Sequence, residues 1–341
     1  MRFGFGGISC QRYPGDPRTD VELYERAVAL AEAAEECGYD SVWVAEHHFS
    51  DDAFLPSLLP LCAAFAARTR RITIGTAVVL APLHEPLRLA EDAAVVDLLS
   101  HGRFILGLGQ GYIPTEFEAF RVDPATRHLR LEDTVATLRQ AWSGDLVVGG
   151  DQVVYPGVVV TPQPAQPDGP PIWIGGGTRR SIRRAGRIAD GFVATYVADP
   201  GVLADQCRFA REGLADAGRS EAGFRFAVSV PTFAWPGEDG WALVRDSVHY
   251  MNWKYSDLAV PRDRRGGPRP APPPTSAGLS RLREQIVLGT PAAVAEHVKR
   301  LADAAGGEFE MIARLYWPGM PFDVQRRALE VFAAEVIGRV R

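Results

Sequence analysis

Residues 71–112 read RITIGTAVVLAPLHEPLRLAEDAAVVDLLSHGRFILGLGQGY. Ile72–Thr76 and Phe104–Leu108 are short apolar runs rich in β-branched and aromatic residues, the signature of buried strands. Between them Leu87, Ala90, Ala94 and Leu98 recur at helical spacing. A strand, a helix and a second strand make one βα unit of a parallel sheet. The same rhythm extends in both directions. Arg2–Gly6 and Ser41–Ala45 precede this stretch, and Pro171–Ile174, Gly191–Ala194, Phe224–Val230 and Glu310–Leu315 follow it. Eight such runs separated by helices predict a single (β/α)8 TIM barrel over residues 1–341, an α/β fold.

Local signals agree. Thr19-Asp20-Val21-Glu22 is a capping box, Gly38 suits the left-handed position after a helix, and Val21, Tyr24, Val28 and Ala31 form the expected buried stripe. Thr290-Pro291 starts a helix that packs through Val294, Val298 and Leu301. The last helix begins at Phe322-Asp323 and packs through Leu329, Phe332 and Val336. Two segments interrupt the pattern. Residues 144–163, around Gly149-Gly150-Asp151, read as a hairpin inserted after the fourth unit. Residues 257–278 contain PRDRRGGPRPAPPPTSAG, which lacks apolar side chains and backbone donors, so a mobile insertion between strands seven and eight is expected, either a lid over the catalytic face or a tolerated surface loop.

Hydrophobic residues make up 46% of the chain and charged residues 23%, which supports a large core and excludes global disorder. A net charge of −5 argues against nucleic acid or an anionic membrane as partner. Cys10, Cys37, Cys62 and Cys207 form no CxxC pair, and no leader-like or membrane-length apolar run is evident, so a cytoplasmic setting is expected.

Val42 to Phe49 (VWVAEHHF) ends the second strand on the rim where barrels carry their chemistry. Strand alternation puts Glu46 and His48 on one side and His47 on the other. Imidazole exchanges protons near neutral pH, which suits catalysis. His84 and Glu85 follow the third strand and could serve a metal-dependent hydrolase, but adjacent histidines diverge and no metal is expected. Gly109-Gln110-Gly111-Tyr112 closes the fourth strand with glycines that admit a flat ligand or a tight turn. Gly175-Gly176-Gly177-Thr178-Arg179-Arg180-Ser181 joins strand to helix with free N–H groups, hydroxyls and guanidinium charge, the makings of a phosphate site.

Taken together, CGYDSVWVAEHHF, residues 71–112, PPIWIGGGTRRSIRRAGRIADG and VLGTP resemble, in order, the bacterial-luciferase-like flavin-dependent oxidoreductases. The resemblance implies a flavin across the C-terminal ends of the strands. His47 then matches a catalytic acid or base beside the reactive edge of the ring, and Ala77-Val78 a non-proline cis peptide beneath it. Gly176, Gly177, Thr178 and Ser181 match the phosphate cradle, and Gln110 stands where luciferases have a phosphate-binding arginine. Glutamine offers a neutral hydrogen bond instead of a charged fork, so Arg179 or Arg180 is expected to compensate. Gly109 stands where some luciferases have cysteine, which implies extra space beside the ring.

The activity implied is that of a two-component monooxygenase. It would take reduced FMN from a separate NAD(P)H-flavin reductase and use O2 to oxygenate a small apolar or aromatic organic substrate, as a homodimer. Hydride transfer with the deazaflavin coenzyme of the same superfamily, and flavin binding without turnover, are the alternatives. Tyr13, Phe49, Trp253 and Trp317 are candidates for an aromatic lining of the mouth.

Overall fold

Strand β1 (Arg2–Ile8) is apolar or glycine after Arg2 and is paired on both sides, so its residues are almost all buried. The barrel continues through β2 (Ser41–Val44), β3 (Thr73–Thr76), β4 (Phe104–Gly109) and β5 (Ile172–Gly175). β6 (Gly191–Thr195), β7 (Arg225–Ala234) and β8 (Phe309–Arg314) complete it. Each strand pairs in parallel with the next, and β8 returns to β1, which closes an eight-stranded barrel. The computed structural model describes residues 1–237, 240–261 and 269–341.

The outer ring holds α1 (Asp20–Glu36), α2 (Leu58–Arg68), α3 (Pro86–Ser100) and α4 (Arg127–Trp142). It continues with α5 (Arg179–Ile188), α6 (Pro200–Asp216), α7 (Pro291–Ala305) and α8 (Phe322–Val331). The Thr19–Glu22 capping box is formed. The buried stripe of α1 is Leu23, Ala27, Leu30, Ala31 and Ala34, whereas Val21 is 66% exposed. In this alanine-rich helix two faces are apolar, and the one carrying the bulkier leucines turns inward. α3 is shifted likewise: Leu89, Ala90, Ala93 and Ala94 are buried, and Leu98 is exposed.

After α4, Val147–Gly149 pairs antiparallel with Val154–Val158, a hairpin whose turn is held by the Asp133 carboxylate accepting from the N–H groups of Asp151 and Val153. Between β7 and β8 the chain forms helices Trp241–Leu258 and Ser276–Glu284. Asp257 and residues 276–278 therefore belong to helices and not to a loop, while residues 262–268 of the expected insertion lie outside the described residues. Arg269 is tied back to Asp257 at 3.0 Å, and His249 Nε2 meets the Pro272 carbonyl at 2.7 Å.

The barrel interior is filled by two tryptophans. Trp43 and Trp173 stack with centroids 5.2 Å apart, among Ile105, Val193, Ala227 and Ile312. Glycine makes the room: a Cβ at Gly75 would lie 2.2 Å from the Trp43 ring, and one at Gly191 would lie 2.8 Å from that of Trp173. Gly75→Ala should therefore destabilise the fold by about 1–3 kcal/mol, read as a lower urea midpoint. Gly177→Ala, whose Cβ would meet nothing within 4 Å, should leave the midpoint nearly unchanged.

Candidate active site

A cavity of about 610 Å3 opens where the strands end, walled by residues following β2 to β6, by Arg314 of β8 and by the covering helix through Asn252 and Tyr255. His47, Ala77, Val78, Gly109, Gln110, Gly111, Tyr112, Gly176, Gly177, Thr178 and Ser181 all line it. Arg179 does not.

His47 lies just past β2 and is 7% exposed. Its Nδ1 is 3.1 Å from Glu116 Oε1, which also accepts from the His48 backbone N–H at 2.8 Å. Glu116 is buried in the short helix Pro114–Ala119, and its Oε2 has no partner among the described residues. A carboxylate can only accept, so the contact places the imidazole proton on Nδ1 and leaves Nε2 as the ring nitrogen for a ligand. Phe54, Tyr112 and Tyr255 hold the ring edge-on, with centroids 4.9, 5.9 and 5.4 Å away.

Glu46 and His48 take the other side of the strand end. Glu46 Oε1 meets His48 Nε2 at 2.9 Å and His84 Nε2 at 3.2 Å. These three ligand-capable atoms lie within 4.8 Å of one another, and hydrogen bonds through Glu46 Oε1 join them. Burial raises the Glu46 carboxyl, but the hydrogen bonds and charge of the two histidines outweigh it and hold the group below its ordinary value. Burial lowers His84, but the Glu46 contact outweighs it and raises the imidazole above its ordinary value.

The cavity floor is built at β3. The Ala77–Val78 peptide bond is cis, and Val78 projects over two glycines. A Cβ at Gly109 would lie 2.4 Å from Val78 Cγ2, and one at Gly175 would lie 3.1 Å from Cγ1. The space expected above Gly109 is thus taken by Val78, because a glycine without a side chain is the only partner that lets the valine sit there.

At the far end the cavity continues into a second hollow of about 240 Å3, lined by Gln110, Arg127, His128, Thr178, Arg180, Ser181 and Arg184. Thr178 and Ser181 form a reciprocal cap on α5. The N–H groups of Arg179 and Arg180, first in that helix, have no intrahelical acceptor and bring the positive end of the dipole to the hollow. Arg127 and Arg180 have no carboxylate partner among the described residues, whereas Arg184 pairs with Glu132. The donors suit a phosphate-like anion. Arg179 is corrected: it turns outward to Glu212 at 2.8 Å and lies over the Phe209 ring, because one residue of helix rotates a side chain by about 100°.

The sequence reading missed Glu116, Arg127, His128, Arg184, Tyr196, Tyr255 and Arg314. Glu116, Arg127 and His128 come from a connection or a helix start far from their partners in sequence, and Arg184 lies one turn past Arg180 in α5. Arg314, a charge at the C-terminal end of a strand on the catalytic rim, carried a usable signal. Of the aromatic residues expected at the mouth, Trp317 is buried in a core beside the covering helix, and Tyr112, Tyr196 and Tyr255 take the lining role.

The Glu46–His84 contact has a pH signature. A raised histidine stabilises fully below its ordinary value of 6.5 and loses that contribution as pH rises through the raised folded value. A lowered carboxylate contributes fully above 4.5 and loses its contribution as pH falls. The unfolding midpoint should accordingly drop as pH rises from about 6 to about 9, and His84→Gln should flatten that slope. An unaltered slope in the variant would assign it to other groups.

The chain is 30% identical over 161 residues to the oxygenase component of the flavin-dependent trigonelline monooxygenase of Acinetobacter baylyi, covering 47% of this chain and 45% of that one. It is 34% identical over 227 residues to the F420-dependent glucose-6-phosphate dehydrogenase of Nakamurella multipartita, covering 64% and 63%. The chain thus spans about half to two thirds of the length of these relatives. The monooxygenase RslO1 of Streptomyces bottropensis superposes with a TM-score of 0.79 at 24% identity, covering 100% of both chains, a likeness of fold. The model of the luciferase-like monooxygenase family matches residues 2–308, and the chain belongs to that family.

Proposed function

We propose that the protein is the oxygenase of a flavin-dependent monooxygenase that takes reduced FMN and O2 and oxygenates a small organic substrate. The observation that carries this reading is the adjacency of the parts: the cavity lined by His47, Ala77 and Val78 shares Gln110, Arg127, Thr178 and Ser181 with the arginine-lined hollow beside it. Its aromatic walls and flat floor fit a tricyclic ring, and its far end fits a phosphate. When bound, the reduced flavin supplies the electrons that activate O2, so that one oxygen atom passes to the substrate and the other leaves as water.

The chain's own residues supply position and protons. Arg127, Arg180 and Gln110 hold the phosphate together with the first N–H groups of α5. Val78 supports one face of the ring. Tyr112, Tyr196 and Tyr255 exclude water from the other side. His47, with Nδ1 fixed by Glu116, takes or returns a proton at Nε2. A separate reductase would deliver the reduced flavin. Exposed Val95, Leu98 and Leu99 on α3 offer an apolar face for a homodimer. The cytoplasm is the proposed setting, and among the described residues no helix is long and apolar enough to cross a membrane.

The deciding experiment is anaerobic titration with reduced FMN and with reduced deazaflavin, followed by addition of O2. Tight binding of FMN and O2 uptake by the complex are expected; binding of deazaflavin alone, without O2 uptake, would replace this reading with hydride transfer. Arg127→Ala and Arg180→Ala should each weaken FMN binding by about 1–3 kcal/mol, and Arg179→Ala should not. His47→Ala should lower turnover by about 10²–10⁴-fold while FMN affinity stays within a few fold.

A further inference from the structure

Arg314 ends β8 on the rim of the candidate active-site cavity, is 4% exposed, and its Nε is buried without a partner among the described residues. Its Nη2 donates a hydrogen bond to the Tyr255 hydroxyl at 3.2 Å, and its guanidinium lies 4.5 Å from the centroid of the Tyr196 ring. Gly7 backs it, where a Cβ would approach Nε to 3.2 Å. No carboxylate pairs with it among the described residues. Tyr112 and Tyr196 are pushed up by desolvation, so both remain neutral and cannot offset the charge. A guanidinium so placed is solvated by aromatic faces and a hydroxyl, yet uncompensated, a costly state unless a ligand completes it.

The phosphate does not complete it. The anion hollow is built from residues around the ends of β4 and β5, whereas β8 stands four strands from β4 in the closed barrel order, on the opposite side. His47, after β2, lies only two strands from β8. We propose that Arg314 receives the carboxylate of the organic substrate, so that the substrate class is an aromatic carboxylic acid whose ring lies among Tyr112, Tyr196 and Tyr255. The planar fork of an arginine matches a carboxylate with two parallel hydrogen bonds. This deepens the proposed function by naming the class of molecule that the site takes.

The test compares benzoate with benzamide, which share shape and differ in charge, by calorimetric titration of the full chain with and without FMN. Wild-type protein should prefer benzoate by about tenfold or more. Arg314→Gln should reduce the preference to within about twofold, and Arg314→Lys should keep part of it. No preference in the wild-type protein, a measurement that needs no variant, would overturn the proposal. So would a full preference retained by Arg314→Gln, or a loss of reduced-FMN affinity in that variant with no benzoate preference in the wild type, which would give the guanidinium to the cofactor. A benzoate preference in a chain that binds no FMN would sustain the role of Arg314 while removing the flavin reading.

Discussion

Val78 lies across the ends of two neighbouring strands, with one methyl over Gly109 of β4 and the other toward Gly175 of β5. The surface of the site follows from that contact. If either glycine carried a side chain, Val78 would be lifted into the cavity and the floor would no longer be level. The same exchange of volume operates below, where Gly75 and Gly191 give their space to Trp43 and Trp173. The barrel is thus packed by pairing a missing side chain on one strand with a large one on its neighbour. Dense packing leaves little slack, so the rim positions of His47 and Arg314 are fixed by the same fit.

Alternation at the end of β2 separates two kinds of chemistry within three residues. Glu46 and His48 turn toward His84 and are locked in a hydrogen-bonded cluster around the buried Glu46 carboxylate. His47 turns the other way, to a carboxylate that engages one nitrogen and leaves the second. Buried charge is tolerated on the first side because each group answers another. On the second side the arrangement is incomplete, which is what the proposed proton-transfer role of His47 requires.

The fold was legible because eight apolar runs with helical spacing between them admit few other arrangements. The glycine-rich turn before α5 was legible as the strand-to-helix turn it forms, because glycines lead straight into a Thr178 and Ser181 cap. What the sequence concealed were matters of phase and of distance. Arg179 and Arg180 are neighbours in the chain, but helix rotation sends one to Glu212 and the other to the hollow. Val21 was placed inside α1 because it falls in step with Tyr24 and Val28, yet a competing stripe through Leu23 and Leu30 packs against the barrel. Glu116 and Arg127 belong to the connection after β4, and nothing near them in sequence states that they approach His47 or the first turn of α5.

The distribution of charge bears on how the site selects what it holds. The chain carries a net charge of −5, yet the two uncompensated features facing the cavity system are cationic: the arginine hollow at β4–β5 and Arg314 at β8. Surface anions repel like-charged ligands weakly and are screened by salt, and the exposed Arg127 and Arg180 are screened in the same way, whereas the buried Arg314 acts at short range in a medium that screens little. Such a site admits anions only where a cation waits for them and gives no advantage to those that fit neither end. Under the proposed reading, two cationic poles separated by an apolar, aromatic middle would orient a phosphate-bearing cofactor and an anionic substrate at once, each anionic end drawn to its own pole and the two uncharged parts left to meet between them.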